Sequence, residues 1–192
     1  QVIKQIVYEP GEESEESEGG GNALIPMVKY GKSYDSTGNL ILETFEQRNP
    51  VSGNWEFYSR KEWQYDEKGR KLQYTRYGYT NNEITNFCSY RYQYKYDSAG
   101  HILQEIFSRL NGEDFLNMET KVENNYDSAG NIVSKTIFEW TIGWTKKEER
   151  FYFYNENQEL IKNESVTDSY KRITDHFYDG FGRIRTQIQL KT

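Results

Sequence analysis

The sequence predicts an all-β fold: an antiparallel meander of about twelve strands, built from six hairpin repeats. Three observations support this prediction. A Tyr-Asp corner recurs along the chain, apolar and polar residues alternate between corners, and no segment shows a convincing apolar period of 3.6 residues. The mean hydropathy of −0.98 would suit a disordered chain, but such chains are poor in aromatics, and here 16% of the residues are aromatic. We therefore expect a folded sheet with a thin core stabilised by aromatic rings.

The chain divides into an N-terminal segment, residues 1–29, and a single hairpin-repeat domain, residues 30–192. Within the first segment, residues 9–22 are rich in Glu and Gly, so charge repulsion and chain entropy predict an unpacked acidic linker. The short run before it, residues 1–8, alternates weakly between apolar and polar residues. It is a candidate for an additional edge strand.

The composition argues against two classes of partner. The formal net charge is −6, and a mixed, nearly neutral surface outside the acidic linker gives no electrostatic reason to expect nucleic acid. No apolar run approaches the roughly 18–20 residues that would span a bilayer as a helix, so we predict no transmembrane segment.

The repeat is defined by a corner of the form Tyr-Asp-x-x-Gly, and the spacing between successive corner tyrosines falls from 31 to 24 residues. The corners that keep all three residues are Tyr34, Asp35, Gly38; Tyr65, Asp66, Gly69; Tyr96, Asp97, Gly100; Tyr126, Asp127, Gly130; and Tyr178, Asp179, Gly182. The fifth corner along the chain is degenerate, because Tyr154 is followed by Asn155 and, at the glycine position, Gln158. Such a repeat indicates one supersecondary unit used many times.

The residues of the corner have a specific turn chemistry. Asp starts a type I turn because its carboxylate can accept a hydrogen bond from the backbone two residues on. Gly three positions later supplies the positive φ of the bulge that closes the hairpin loop. This geometry places each corner tyrosine across from the residue six positions later and predicts the aromatic–aliphatic pairs Tyr34–Leu40, Tyr96–Ile102, Tyr126–Ile132, Tyr154–Leu160 and Tyr178–Ile184. At the second corner, Lys71 falls opposite Tyr65.

The predicted sheet is too wide to stay flat. Neighbouring strands rotate by roughly 20–25°, so the steps of a twelve-stranded meander accumulate roughly 220–275°. We therefore expect a strongly twisted, curled meander with its Tyr, Ile and Leu face turned inward, and a closed barrel is the alternative.

Two segments, Arg91–His101 and Phe177–Ile184, resemble the YD repeat that builds the β-shells of Rhs-type and teneurin proteins. The resemblance covers about residues 30–192, with longer spacing than Rhs repeats and too few units for an encapsulating shell. With its acidic linker and its start at Gln1, the chain is similar to small secreted proteins of gut Bacteroidales that carry YD-like hairpins and have no assigned activity. The resemblance implies a secreted, periplasmic or cell-surface location after removal of a signal peptide.

The sequence offers little catalytic or metal chemistry. Cys88 is the one cysteine, which excludes an intramolecular disulfide and a cysteine-based metal cluster. His101 and His176 are the two histidines, and no motif suggests a nucleophile oriented by either. The corner aspartates are explained by their turns and lack the spacing of a calcium loop. We therefore predict no catalytic residue, no metal and no cofactor.

The remaining feature is a set of aromatic residues near the loops opposite the Tyr-Asp corners: Trp55, Tyr77, Tyr79, Phe115, Trp140 and Trp144. Exposed rings beside Asn and Gly can stack on sugar faces, and the alternative is cross-strand aromatic pairing that stabilises the sheet. Two hypotheses follow for a non-catalytic secreted module. One is a structural or protein-interaction repeat, and the other is a carbohydrate-binding module that uses these aromatics.

Overall fold

The computed structural model describes residues 3–10, 26–111, 114–178 and 184–191, with side-chain surroundings for 28–85, 89–109, 119–178 and 184–191. These ranges contain thirteen β-strands and no helix. The strands are β1 (Ile3–Pro10), β2 (Pro26–Tyr34), β3 (Leu40–Arg48), β4 (Trp55–Tyr65), β5 (Lys71–Thr80), β6 (Glu83–Tyr96), β7 (Ile102–Asn111), β8 (Asp114–Tyr126), β9 (Ile132–Trp140), β10 (Trp144–Tyr154), β11 (Leu160–Val166), β12 (Lys171–Tyr178) and β13 (Ile184–Lys191). The one strand beyond the predicted twelve is β1, the edge strand suggested by the alternation in residues 1–8.

The strands form one antiparallel meander in which the sheet order equals the chain order from β1 to β13. The predicted all-β antiparallel meander is therefore confirmed. The alternative of a closed barrel is wrong, because closure requires the first and last strands to pair, whereas β1 and β13 are the two edges of the sheet.

The chain forms two compact units. The first comprises Gln1–Tyr92 with Arg109–Leu116, and the second comprises Gln93–Ser108 with Asn117–Thr192. The first and second Tyr-Asp corners thus belong to the first unit, and the other four belong to the second.

Strand register at the corners follows the turn chemistry. Each described hairpin places the corner tyrosine opposite the residue six positions later: Tyr34–Leu40, Tyr65–Lys71, Tyr126–Ile132, Tyr154–Leu160 and Tyr178–Ile184. The corner glycines have positive φ, for example 91° at Gly38 and 101° at Gly100, as a bulge of this type requires. The residues Asp179 and Gly182 of the last corner lie outside the described residues.

The described part of the sheet buries few apolar side chains. Ile173, 8% exposed, is the one hydrophobic residue in it that is buried, whereas the fully buried residues Thr75 and Ser89 are 0% and 1% exposed. Both buried hydroxyl groups are hydrogen-bonded: Gln73 Nε2 donates to Thr75 Oγ1 at 3.3 Å, and the backbone N–H of Gly78 donates to Ser89 Oγ at 2.9 Å. The low mean hydropathy is therefore compatible with a folded chain, because backbone ladders and cross-strand pairs replace a thick apolar core.

Candidate functional site

The corner carboxylates are occupied by hydrogen bonds inside their own turns. Asp35 Oδ1 accepts from the backbone N–H of Thr37 at 2.9 Å and of Asn39 at 2.8 Å, and its Oδ2 accepts from Asn39 Nδ2 at 3.0 Å. The next three corners repeat the link to the side chain four residues later: Arg70 Nε to Asp66 Oδ2 at 2.7 Å, His101 Nδ1 to Asp97 Oδ2 at 2.8 Å, and Asn131 Nδ2 to Asp127 Oδ2 at 3.1 Å. The side chain four positions after the aspartate is thus the hydrogen-bond partner of the aspartate carboxylate in each of these corners.

These contacts keep the aspartates ionised. Desolvation raises the pKa of Asp35, but hydrogen bonds from Asn39 and Thr37 outweigh it and lower the pKa to about 2. The hydrogen bond from His101 is the largest cause that lowers the pKa of Asp97, and the backbone N–H of Asn131 is the largest that lowers the pKa of Asp127. A carboxylate held ionised in this way is poorly suited to act as a general acid near neutral pH.

The fifth corner keeps the same link with donor and acceptor exchanged. Asn155 Oδ1 accepts from the backbone N–H of Asn157 at 3.0 Å and of Glu159 at 2.9 Å, as the aspartates do. Its Nδ2 donates to Glu159 Oε2 at 2.7 Å, so the carboxylate stands at the end of the corner. Gln158 takes the positive-φ position with a φ of 65°. The corner that the sequence shows as degenerate is therefore structurally complete.

The corner tyrosines connect successive repeats. At four corners the tyrosine hydroxyl donates to the main-chain carbonyl of the first strand residue after the preceding corner, and we call this contact the tyrosine clasp. The clasps are Tyr65 to Leu40 at 3.0 Å, Tyr126 to Ile102 at 2.9 Å, Tyr154 to Ile132 at 3.0 Å, and Tyr178 to Leu160 at 3.0 Å. Sequence reasoning missed this contact. The available signal was that all six corners have Tyr where Phe would also fill the space.

The surroundings of the tyrosines favour hydrogen-bond donation. Burial raises the pKa of Tyr65, and the negative charge of Asp35 in the preceding corner raises it further. Burial and the charge of Asp97 act on Tyr126 in the same way. A raised pKa keeps the hydroxyl protonated, so it remains available to donate to the carbonyl.

In the first unit, the predicted loop-edge aromatics each contact a neighbouring side chain. Trp55 is half-buried with Lys29 Nζ 5.6 Å from its ring centroid, and Arg60 lies 5.8 Å from the ring of Tyr77. The Tyr79 ring lies 5.5 Å from that of Phe57. Phe115 belongs to β8, but its side chain lies outside the described side chains. Cross-strand pairing therefore accounts for much of this set.

In the second unit, Trp140 and Trp144 form an edge-to-face pair. They are opposite each other at the loop end of the β9–β10 hairpin, with ring centroids 5.1 Å apart. Lys121 Nζ lies 4.0 Å from the centroid of Phe138 and 5.4 Å from that of Trp144. Ile142 at the tip of the loop is fully exposed. This is the most concentrated aromatic group among the predicted ligand-binding residues that the structure describes.

The edge strand β13 is open to solvent. All eight of its residues are exposed, and the apolar residues Ile184, Ile188 and Leu190 are 58%, 61% and 65% exposed. The sequence expectation that this Tyr, Ile and Leu face turns inward is wrong at β13, because an edge strand has a neighbour on one side only. Strand β13 pairs with β12 without a register shift and contains no proline.

The opposite edge is less regular. Strand β1 ends at Pro10, and its register against β2 shifts between Glu9 and Pro10. Proline lacks a backbone N–H, and a bulge interrupts the row of pairing groups, so both features weaken an edge as a template for another strand. Of the two edges, β13 is the one suited to accept a partner strand.

Other possible sites are less developed. An open groove of about 860 Å³ lies between the first and second corners, lined by Ile41, Trp63, Leu72 and turn residues. His101 stacks on Tyr126 with ring centroids 4.6 Å apart, and His176 Nε2 lies 2.9 Å from Asn163 Nδ2. Within the described ranges no cluster of three or more His, Cys, Asp or Glu is placed to hold a metal ion. The same ranges contain no helix with the length and apolarity to cross a membrane.

No family model matches this chain, and no curated protein matches its sequence. The similarity to the YD repeat therefore depends on the corner residues themselves.

Proposed function

We propose that this chain is a non-catalytic protein-interaction module that binds an extended partner segment by strand addition along β13. The observation behind the proposal is that all eight residues of this edge strand are exposed. An edge strand presents a row of backbone N–H and C=O groups that another strand can pair with. In strand addition, these main-chain groups supply affinity and alternate side chains supply specificity.

The side chains of β13 indicate what the partner strand should contain. Ile184, Ile188 and Leu190 alternate on one face, while Arg185 and Lys191 are on the other face of a strand that has no acidic residue. A partner strand with apolar residues on one face and acidic or amide residues on the other would complement it. The proposed site of action is outside the cytoplasm, and the support for that location is the resemblance of the corners to secreted YD-repeat proteins.

The direction of the free backbone groups suggests a blocking variant. Alternate residues of a strand direct their N–H and C=O groups to the same side. Leu160, the counterpart of Ile184 in the preceding repeat, directs its carbonyl toward the following strand. By the same geometry, Ile188 directs its N–H away from β12. Ile188→Pro would remove this N–H without removing one that pairs with β12.

A displayed library of extended peptides, selected on the full chain, tests the proposal. Enriched peptides should lose binding on Ile188→Pro, whereas Ile188→Ala, which keeps the N–H and trims the side chain, should weaken it less. Thermal unfolding checks that both variants fold, and Leu190→Pro, nearer the strand end, replaces Ile188→Pro if that variant does not. A selection in which no enriched peptide depends on the β13 backbone would rule out strand addition.

A carbohydrate-binding surface is the second candidate, favoured by the Trp140–Trp144 pair beside Lys121. Rings of this kind can stack on sugar faces while a lysine binds hydroxyl or acidic groups. Titration of tryptophan fluorescence with a polysaccharide panel should show a saturable shift, and Trp144→Ala should abolish it. Trp55→Ala in the first unit is the matched control. An unchanged spectrum across the panel would count against a sugar ligand.

A further inference from the structure

We infer that the partner strand belongs to a hairpin with a Tyr-Asp corner on another polypeptide, and that its corner tyrosine donates a hydrogen bond to the main-chain carbonyl of Ile184. This inference rests on the proposed use of β13 as a docking edge. It specifies the chemistry and the register of the partner.

The first argument is the position of the clasp acceptor. In the four described clasps, the acceptor is the first strand residue after a corner, and it is Leu or Ile each time: Leu40, Ile102, Ile132 and Leu160. Ile184 occupies this position after the last corner, opposite Tyr178. Its strand is an edge, so within the described residues no later corner tyrosine reaches it. The acceptor half of the repeat interface is therefore presented to solvent.

The second argument is a constant register between repeats. Counted from the clasp, the residue two after the acceptor pairs with the residue three before the tyrosine: Leu42 with Glu62, Ser134 with Phe151, and Lys162 with Asp175. The residue four after the acceptor pairs with the residue five before the tyrosine: Thr44 with Arg60, Thr136 with Glu149, and Glu164 with Ile173. In these strands the residue two after the acceptor also faces the residue just before the corner tyrosine: Leu42 faces Ser33, Ser134 faces Asn125 and Lys162 faces Phe153. On β13, which has no register shift, the residue in this position is Arg185, which faces Phe177. The same interface continued onto β13 therefore pairs Arg185 and Gln187 with those two partner positions.

This register also predicts which partner side chains fit. Gln187 would oppose the partner residue five before its tyrosine, where this chain has Arg60 and Glu149 in two of its own repeats and a polar side chain is suited. Arg185 would oppose the residue three before the tyrosine, where this chain has Glu62, Phe151 and Asp175 in its own repeats. An aromatic or acidic side chain there would contact the guanidinium.

The test uses the full chain and a fluorescent synthetic peptide with the sequence of residues 171–191, which contains Tyr178 and, three residues before it, Asp175. The control peptide differs only by Tyr178→Phe and so lacks the hydroxyl. Fluorescence anisotropy should show saturable binding, with the Phe peptide roughly three- to tenfold weaker, as expected for one lost hydrogen bond. Ile188→Pro in the protein should abolish binding of both peptides, and Ile188→Ala should retain the preference for Tyr.

The outcomes separate this inference from the proposed function. Two outcomes would overturn the hairpin partner and leave strand addition standing. The first is equal binding of the Tyr and Phe peptides. The second is that neither peptide binds while the library peptides still depend on the β13 backbone. Peptide binding that survives Ile188→Pro places the contact elsewhere and overturns the inference. Sedimentation of the chain alone tests whether a second copy of the chain covers β13 instead. A dimer that dissociates with Ile188→Pro would overturn the inference in favour of that second copy.

Discussion

The fourth corner begins with Asp127 and carries Gly130 at a φ of 89°, whereas the fifth begins with Asn155 and carries Gln158 at a φ of 65°. In the fourth, Asn131 donates to the carboxylate of Asp127, and in the fifth, Asn155 donates to the carboxylate of Glu159. The two corners have the same backbone hydrogen bonds. Both corners therefore combine one carboxylate with one side-chain donor four residues away, and either end of the corner can supply the carboxylate.

The largest expected effect is at the glycine of the fourth corner. Gly130→Ala should lower the free energy of unfolding by about 2 kcal/mol, because an L-residue at positive φ costs roughly 1–2 kcal/mol. The added Cβ would also lie 3.0 Å from His101 Nε2. Chemical denaturation measures the loss, and Ser128→Ala in the same turn is the exposed control. A change in Gly130→Ala no larger than in the control would contradict this account of the corner.

The next effect tests whether the donor Asn155 and the carboxylate of Glu159 act as a pair in the fifth corner. Asn155→Asp should lower the free energy of unfolding by about 1–2 kcal/mol at neutral pH, because it removes a donor and places two carboxylates together. Adding Glu159→Asn recreates the arrangement of the fourth corner and should restore stability to within about 0.5 kcal/mol. A double-mutant cycle by urea denaturation measures the coupling. Additive effects would show that the two residues do not act as a pair.

A smaller effect of opposite sign is expected at Gln158. Gln158→Gly should raise the free energy of unfolding by about 0.5–1 kcal/mol, because glycine tolerates the positive φ. The side chain of Gln158 also accepts a hydrogen bond from Asn131, so Gln158→Ala separates the two contributions: it removes that contact and keeps the backbone strain. Thermal unfolding of both variants provides the measurement. Destabilisation of the glycine variant to the level of the alanine variant would show that the side-chain contact dominates.

The smallest effect is a difference in acid sensitivity between the two corners. The pKa of Asp127 is lowered in the folded state, so the unfolded state binds more protons as pH falls through the ordinary aspartate range. The stabilisation from Asp127 is therefore complete above about pH 4 and is lost below it. Converting the fourth corner to the fifth with Asp127→Asn and Asn131→Glu removes the carboxylate whose pKa is lowered, so this pH dependence of stability should weaken. Urea denaturation from pH 7 to pH 3 compares the two proteins, and identical curves would contradict the assignment.

The parts of the fold that the sequence predicted are those determined by local turn chemistry. The Tyr126–Ile132 pairing follows from residues within six positions of one another, and the structure has it. The tyrosine clasp joins residues 18 to 25 positions apart. Its geometry depends on the register across a loop of variable length, which no local pattern encodes.

The candidate site was less predictable for a related reason. The alternation of apolar and polar residues correctly placed Ile184, Ile188 and Leu190 on one face of β13. It could not show that β13 is an edge strand of the sheet. Whether a strand is central or peripheral depends on every pairing in the sheet. The sequence placed the loop-edge aromatics near the loops. It did not predict that Trp144 contacts Trp140 and Lys121, because these contacts depend on how three strands pair.

The scarcity of buried apolar side chains in the described ranges, where Ile173 is the only hydrophobic residue that is buried, has a thermodynamic consequence. Hydration of apolar groups is the source of the positive heat capacity of unfolding, which averages roughly 12–15 cal/mol/K per residue in globular proteins. A sheet that withdraws little apolar surface from water should fall below that range. Its folding free energy should then vary only gently with temperature, and calorimetry would show a broad, shallow stability curve.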